Sequence, residues 1–145
     1  MYEKCLFFNL NTFTREINKR WEEEFAKLGL SASHGYFLRL VLAAPNSTQK
    51  DLAERLNLAP STLTRFVDAL EKKGLLKREA SAEDARAITI APTKKAVALE
   101  TELDATIDRL TNYLTEIIGP RNSSDLVKII QTYQEKICAG GSCEE

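Results

Sequence analysis

The sequence predicts a mainly α-helical fold with one small β-hairpin. Apolar residues recur every three or four positions in six segments, which is the spacing of one face of an α-helix. Two short runs, Leu75–Glu79 and Ile88–Ala91, are instead typical of strands, and the polar segment Ala80–Arg86 joins them. The length of 145 residues, with 43% hydrophobic and 28% charged residues, fits one globular domain and excludes a disordered chain or a disulfide-dense mini-protein.

The first two helices are predicted from their apolar faces and their ends. The first has its apolar positions between Leu6 and Leu28, and Gly29 provides the stop. Ser31 is the predicted N-cap of the second helix, which ends at Pro45.

The third and fourth helices are separated by a short break. Thr48 caps the third, and the break at Asn57–Pro60 places Pro60 at the first position of the fourth, where its missing N–H costs least. Gly74 ends the fourth helix before the hairpin. Two helices joined by a short turn and followed by a hairpin predict a winged helix-turn-helix.

Two longer helices follow the hairpin. The fifth starts near Thr93 and stops at Gly119 and Pro120, and Ser123 or Ser124 is expected to cap the last. The apolar faces of the fifth and first helices exceed what a small core covers, so we expect a second copy of the chain as the partner surface. The candidate dimerisation residues are Leu6, Leu10, Ile17, Leu110, Leu114, Ile130 and Tyr133.

These elements divide the chain by expected role. Residues 1–30 are a dimerisation helix, residues 31–92 a winged helix-turn-helix lobe, residues 93–138 further dimerisation helices, and residues 139–145 a flexible tail. The longest uncharged apolar run, Leu40 to Pro45, is far below the roughly 20 residues of a membrane span. With no signal peptide visible, we expect a cytoplasmic protein without membrane partners.

Charge is unevenly distributed along the chain. The overall net charge is −1, yet residues 1–46 carry +1, residues 47–95 carry +3 and residues 96–145 carry −5. Because a polyanion responds to local charge, the middle third is the segment suited to nucleic acid.

The first turn of the fourth helix has the side chains expected of a DNA-contacting helix. The residues on either side of the inward-facing Leu63 carry short hydroxyl side chains and one guanidinium group. Hydroxyls suit close approach to phosphates and base edges, and Arg pairs with guanine O6 and N7. The alternative is that Ser61 and Thr62 only stabilise the helix start. The candidate DNA contacts are Thr48, Gln49, Ser61, Thr62, Thr64, Arg65, Arg78 and Arg86.

The hairpin tip is polar and ends in an arginine. A loop with Arg86 at its base can place the guanidinium in a narrow minor groove, where the potential is most negative. Asp84 is the expected support that holds Arg86 in position. The alternative is a surface ion pair worth about 0–1 kcal/mol.

The chain has six motif segments in a consistent order: Leu28–Ser31, Thr48–Leu56, Ala59–Arg65, Leu70–Leu76, Asp84–Ala87 and Pro92–Lys95. Together they resemble the motifs of the MarR-type transcriptional regulators. The resemblance spans about residues 6–118, and it implies a homodimeric regulator, usually a repressor, that binds a pseudo-palindromic operator and is released by a small ligand or oxidant. Two positions depart from the family pattern, where Pro92 replaces a Leu and Ala96 replaces a Gly.

The same resemblance implies where an effector binds. In this family the pockets lie between the dimerisation helices and the DNA-binding lobe, which selects Phe13, Trp21, His34 and Phe37. The alternatives are core or dimer packing for Trp21 and a solvated or capping role for His34, the single histidine.

Three cysteines lie at the ends of the chain, at Cys5, Cys138 and Cys143. Three soft ligands in one place suit a thiophilic metal or metalloid, or an oxidation switch. The segment from Cys5 to Arg15 is similar to the first helix of the family's organic-peroxide sensors, although Cys5 falls two residues before their reactive cysteine. The alternative is that Cys5 is a small apolar residue and that the other two cysteines are incidental. In either case we expect that the protein requires no cofactor.

Other functions fit the sequence less well. The sequence has no Gly-rich phosphate loop, no GxSxG motif and no HExxH motif, so we expect that the protein is not an enzyme. The remaining alternatives are a small thiol- or metal-handling protein, and a winged helix that binds proteins instead of DNA.

Overall fold

A computed structural model describes residues 2–81 and 87–140, and the side chains of residues 3–81 and 87–137. After a 3-10 turn at Tyr2–Lys4, the elements are α1 Leu6–Ala26, α2 Ala32–Ala43, β1 Ser47–Thr48, α3 Gln49–Leu56, α4 Pro60–Lys72, β2 Leu76–Ala80, β3 Ile88–Pro92, α5 Lys94–Ile118 and α6 Pro120–Gly140. The predicted fold class, mainly helical with a small wing, is confirmed. Within the described ranges, no helix is both long and apolar enough to cross a membrane.

The chain forms two compact units, Met1–Thr106 and Ile107–Glu145. The first unit contains α1 to α4, the sheet and the start of α5, and the second contains the rest of α5 and α6. The division into dimerisation and DNA-binding regions stays a prediction.

The predicted helix starts at α2, α3 and α4 are confirmed. Ser31 Oγ accepts a hydrogen bond from the backbone N–H of His34, and Thr48 Oγ1 accepts one from that of Asp51, both at 3.2 Å. Pro60 occupies the first turn of α4. Each cap satisfies a backbone donor that has no partner inside its own helix.

The wing is part of a three-stranded antiparallel sheet with the order β1-β3-β2. The hairpin β2–β3 was predicted, whereas β1 was not. Two residues are too few to show alternation, and β1 is a strand only because Ser47 and Thr48 pair with Ile90 and Thr89 of β3. The sheet therefore ties the start of α3 to the wing.

The predicted start of α6 at Ser123 or Ser124 is wrong. Gly119 (φ 87°) makes the turn after α5 by itself, and α6 begins at Pro120. The backbone N–H of Ser123 already donates to Gly119 O at 2.9 Å, as in a helix. Proline is favoured in a first helical turn, so Pro120 both ends α5 and starts α6. At its other end α6 reaches Gly140, and residues 141–145 lie outside the described part of the chain.

The core of the first unit holds α2, α3 and α4 against the sheet. From α1 only the C-terminal part contributes to it, through Trp21 and Phe25. The N-terminal half of α1 stays exposed at its apolar positions, as at Leu6 (60%). The largest fully buried side chains of this unit are Phe25, Phe37, Leu38, Val41, Leu52, Leu63, Val67, Leu70, Leu76, Ile90 and Leu103.

Candidate nucleic-acid interface

The first turn of α4 carries an exposed polar face opposite a buried apolar one. Leu63, Val67 and Leu70 are fully buried, at the spacing of one helix face. This anchoring leaves Ser61, Thr64 and Arg65 exposed, and Thr62 half-buried. Among the described residues, none pairs with the Arg65 guanidinium. The predicted contact residues of α4 are therefore presented together, with Arg65 available for a ligand.

The turn between α3 and α4 brings the starts of both helices together. Asn57 ends α3 in the left-handed conformation (φ 50°), and the Leu58 N–H donates to Ala53 O at 3.0 Å. Gln49 at the start of α3 then donates from Nε2 to Thr64 Oγ1 of α4, at 3.4 Å. Thr48 lies beside them as the α3 cap, so three predicted contact residues share one edge of the lobe.

Arg78 has protein partners. Its guanidinium, on β2, pairs with Asp68 at 2.6 Å and with Glu71, both on α4. The hydrogen bond that Arg78 donates to Asp68 is the main reason that the pKa of Arg78 is raised, with Glu71 adding to it. These two ion pairs clamp β2, a strand of the wing, to α4. The predicted contact of Arg78 with DNA stays a prediction.

The tip of the wing lies outside the described residues. Asp84 and Arg86, the predicted support and minor-groove contact, fall in the segment 82–86. The base of the loop is defined, because the Ser81 N–H donates to Ala87 O at 2.8 Å.

A groove of roughly 460 Å³ lies between α1, α2 and the helix-turn-helix. Trp21 and Phe37, two of the predicted effector residues, line it, whereas Phe13 lies elsewhere on α1 and is 39% exposed. Trp21 Nε1 donates to the Tyr36 hydroxyl at 3.2 Å. The other lining residues are Ile17, Asn18, Ala32, Ser33, Tyr36, Leu56, Leu58 and Phe66.

Sequence reasoning missed Tyr36 and Phe66 as groove residues. The one available signal for Tyr36 is its position next to Phe37, a predicted effector residue. Phe66 carries no local signal, since its contact with α2 joins distant parts of the sequence. Its ring packs 5.8 Å from the Phe37 ring.

His34 lies beside the groove wall instead of lining it. Its ring meets that of Phe66 edge-on, with centroids 4.9 Å apart. Burial, and then the Lys73 ammonium, lower the pKa of His34 below its ordinary value of 6.5, while Glu22 opposes them. Its effector role stays a prediction.

We expect the His34 imidazole to titrate below pH 6.5 in the folded protein. Below pH 6.5 the unfolded chain then binds this proton first, so the free energy of unfolding falls as the pH decreases towards the folded pKa. Because the chain has a single histidine, its ring signals in an NMR titration need no assignment. In His34→Gln, the dependence of stability on pH should flatten in that window. A titration above pH 6.5 would contradict this environment.

The cysteines are only partly described. Cys5 is exposed and immediately precedes α1. The Cys138 side chain and Cys143 lie outside the described part. Within that part, no group of three or more His, Cys, Asp or Glu side chains is placed to hold a metal ion.

Comparison with known proteins agrees with this geometry. Residues 30–88 match the sequence model of the MarR family. The transcriptional repressor CouR bound to a 23-mer DNA duplex is 24% identical with a TM-score of 0.83, over 91% of this chain and 94% of that one. The S. aureus MepR–DNA complex is 17% identical with a TM-score of 0.82, over 93% and 98%.

A third solved structure holds a small ligand. The organohalide-sensing regulator RdhR in its 2,4-dichlorophenol-bound form is 20% identical with a TM-score of 0.82, over 93% of this chain and 80% of that one. The likeness to all three structures is one of fold. Together with the family match, it confirms the resemblance seen in the sequence: residues 30–88 match the MarR family model, and the chain has the fold of solved MarR-type regulators.

Proposed function

We propose that this protein is a cytoplasmic transcriptional regulator that binds double-stranded DNA in a sequence-specific way. The observation that carries this proposal is the exposed first turn of α4, where Ser61, Thr64 and Arg65 stand on a fully buried base of Leu63 and Val67. A helix presented in this way enters the major groove with its N-terminal residues at the base edges. The DNA-bound states of CouR and MepR, which share the fold, support this role.

The charge of the lobe favours the same partner. Residues 47–95 carry +3, although the whole chain carries −1. Each Lys or Arg that contacts a phosphate releases a counterion, so binding must weaken steeply as salt is added.

The experiment that tests this function is a salt series of binding to duplex DNA flanking the protein's own gene, measured by fluorescence anisotropy. We expect tight binding to a specific segment and a linear fall of log affinity with log salt concentration. Binding that does not exceed that to unrelated DNA would contradict the proposal. It would favour a winged helix that recognises proteins.

The active form is proposed to be a homodimer that acts as a repressor on a pseudo-palindromic operator. The N-terminal half of α1 exposes Leu6 (60%), Phe7 (76%) and Leu10 (41%). An apolar surface of this kind is typical of an interface. In the second unit, α6 likewise exposes Ile130 and Tyr133, whereas Leu110 of α5 is 2% exposed and Leu114 half-buried. Two identical lobes bind two half-sites, and the operator then has the symmetry of the dimer.

We expect the double variant Leu6→Asp/Leu10→Asp to shift the protein from dimer to monomer. The new carboxylates would lose their solvation in an apolar interface. Analytical ultracentrifugation measures the shift, and operator affinity should fall with it, because a monomer contacts one half-site. Thr14→Asp, at an exposed polar position of the same helix, is the matched control and should remain dimeric. If the double variant stays dimeric and binds the operator with unchanged affinity, the interface lies elsewhere.

The proposed signal is a small aromatic ligand that binds in the groove between α1 and α2. Trp21, Tyr36, Phe37 and Phe66 give it an aromatic lining, and the Trp21–Tyr36 hydrogen bond gives it one polar point. Phe66 directly follows Arg65 on α4, so an occupant would contact the helix proposed to bind DNA. The dichlorophenol-bound RdhR supports a ligand of this class. A ligand that releases wild-type protein from DNA should release Trp21→Ala much less well.

A thiol-directed signal is the second candidate, because Cys5 is exposed. Arsenite, zinc or a hydroperoxide would then release reduced wild-type protein from its operator but leave Cys5→Ser bound. Equal release of both proteins would exclude Cys5 as the sensor. No release by any of the reagents would leave the aromatic groove as the signal site.

A further inference from the structure

We propose that Gln49 and Thr64 act as one unit that recognises an A·T base pair, with the Gln49 amide on adenine. This inference rests on the proposed function and adds a base preference to it. It starts from a hydrogen bond between two helices, α3 and α4, whose partners are 15 residues apart in the sequence.

The proton of the Thr64 hydroxyl is already used in a hydrogen bond. Thr64 Oγ1 donates to the backbone carbonyl of Pro60 at 3.0 Å and accepts from Gln49 Nε2 at 3.4 Å. A hydroxyl has one proton and two lone pairs, so only one acceptor position remains on Thr64. Phosphate oxygens are acceptors, and Thr64 therefore has no proton to offer them.

The Gln49 amide keeps one donor and its acceptor. One N–H of Nε2 is used on Thr64, and the second N–H and Oε1 have no partner among the described residues. Thr64 thus fixes which way the amide faces. Gln49 and Thr64 both line a groove, together with the buried side chains of Ala53 and Leu63.

One donor beside one acceptor matches adenine. In the major groove adenine presents the N7 acceptor beside the N6 amino donor, the pattern that a Gln side chain pairs with at two points. Guanine presents two acceptors, N7 and O6, so Oε1 would face O6 without a proton between them. A phosphate accepts only, and would leave Oε1 unpaired.

The test is selection of bound sequences from a random duplex library by six proteins. They are the wild type, Gln49→Ala, Gln49→Glu, Thr64→Val, the double variant of Gln49→Ala and Thr64→Val, and Thr101→Val as the matched control at an exposed position of α5. In the wild type we expect adenine at one defined position of each half-site. In each single variant, the preference for adenine over the other bases at this position should fall about tenfold.

The double variant should lose no more than either single variant, because Thr64 acts through the Gln49 amide. Thr101→Val should keep the adenine preference. Gln49→Glu should turn the preference towards cytosine, whose N4 amino group donates to a carboxylate. Thermal unfolding of each variant checks the fold, which should be unchanged because Thr64 is exposed and Gln49 is half-buried outside the core.

Different outcomes overturn different claims. If Gln49→Ala weakens binding evenly for all sequences, Gln49 is a phosphate contact and this inference is wrong, while DNA binding stands. If the two single variants relax different positions, the two residues act separately and the unit does not exist. If the wild type enriches no sequence at all, the proposed function itself fails.

Discussion

Arg65→Ala is expected to lose specific operator binding, with about 5- to 150-fold lower affinity for the operator and little change for unrelated DNA. The guanidinium is exposed on the first turns of α4 and has no partner among the described side chains. Two hydrogen bonds from an Arg to guanine are worth about 1–3 kcal/mol of discrimination. Competition binding with operator and unrelated duplexes measures both affinities.

Two further arginine variants separate the sources of that effect. Arg86→Ala, in the proposed minor-groove contact, should weaken binding more evenly across sequences, with a smaller salt slope. Arg121→Ala removes the same charge from an exposed position of α6 and serves as the control. Intact operator affinity in both Arg65→Ala and Arg86→Ala would refute the roles assigned to them.

Gly35→Ala is expected to destabilise the fold by about 1–3 kcal/mol through overpacking. Gly35 lies in α2 against α1, and a Cβ added there would overlap the fully buried Phe25 ring. The ring cannot move freely, because Tyr36 packs against it with centroids 5.6 Å apart. Urea unfolding, followed by circular dichroism, gives the change in the free energy of unfolding.

The overlap itself is tested by a double-mutant cycle. Phe25→Leu removes the ring edge that meets the new methyl group, so Gly35→Ala should cost less in that background. Ser33→Ala, at an exposed position of the same helix, should change stability by less than about 0.5 kcal/mol. An unchanged cost of Gly35→Ala in the Phe25→Leu background would show that the ring is not the obstacle.

The parts of the fold that depend on local chemistry were predictable from the sequence. Ser31, Thr48 and Pro60 fix helix starts through bonds and angles within a few residues of themselves, and the structure confirms all three. Strand β1 depends on β3, more than 40 positions away, and two residues give no pattern of their own. The start of α6 was misplaced because serine is a favoured N-cap residue, so Ser123 resembled a helix start. In the structure the turn between the two helices is complete at Gly119, and α6 begins at Pro120.

The candidate site divides in the same way. The exposed face of α4 follows from its 3.6-residue period, so Ser61, Thr64 and Arg65 could be selected from sequence alone. Pairings between elements could not. The clamp of Arg78 on α4 and the bond from Gln49 to Thr64 depend on how β2 and α3 pack against α4.

The central claim is that α4 of a dimer recognises a defined DNA sequence. It is tested most directly by a footprint on the duplex flanking the protein's own gene. The account predicts one discrete protected segment, with two half-sites about one helical turn apart. The protection should disappear with Arg65→Ala and persist with Arg121→Ala. Protection that is uniform along the DNA, or a discrete segment that Arg65→Ala leaves intact, would contradict it.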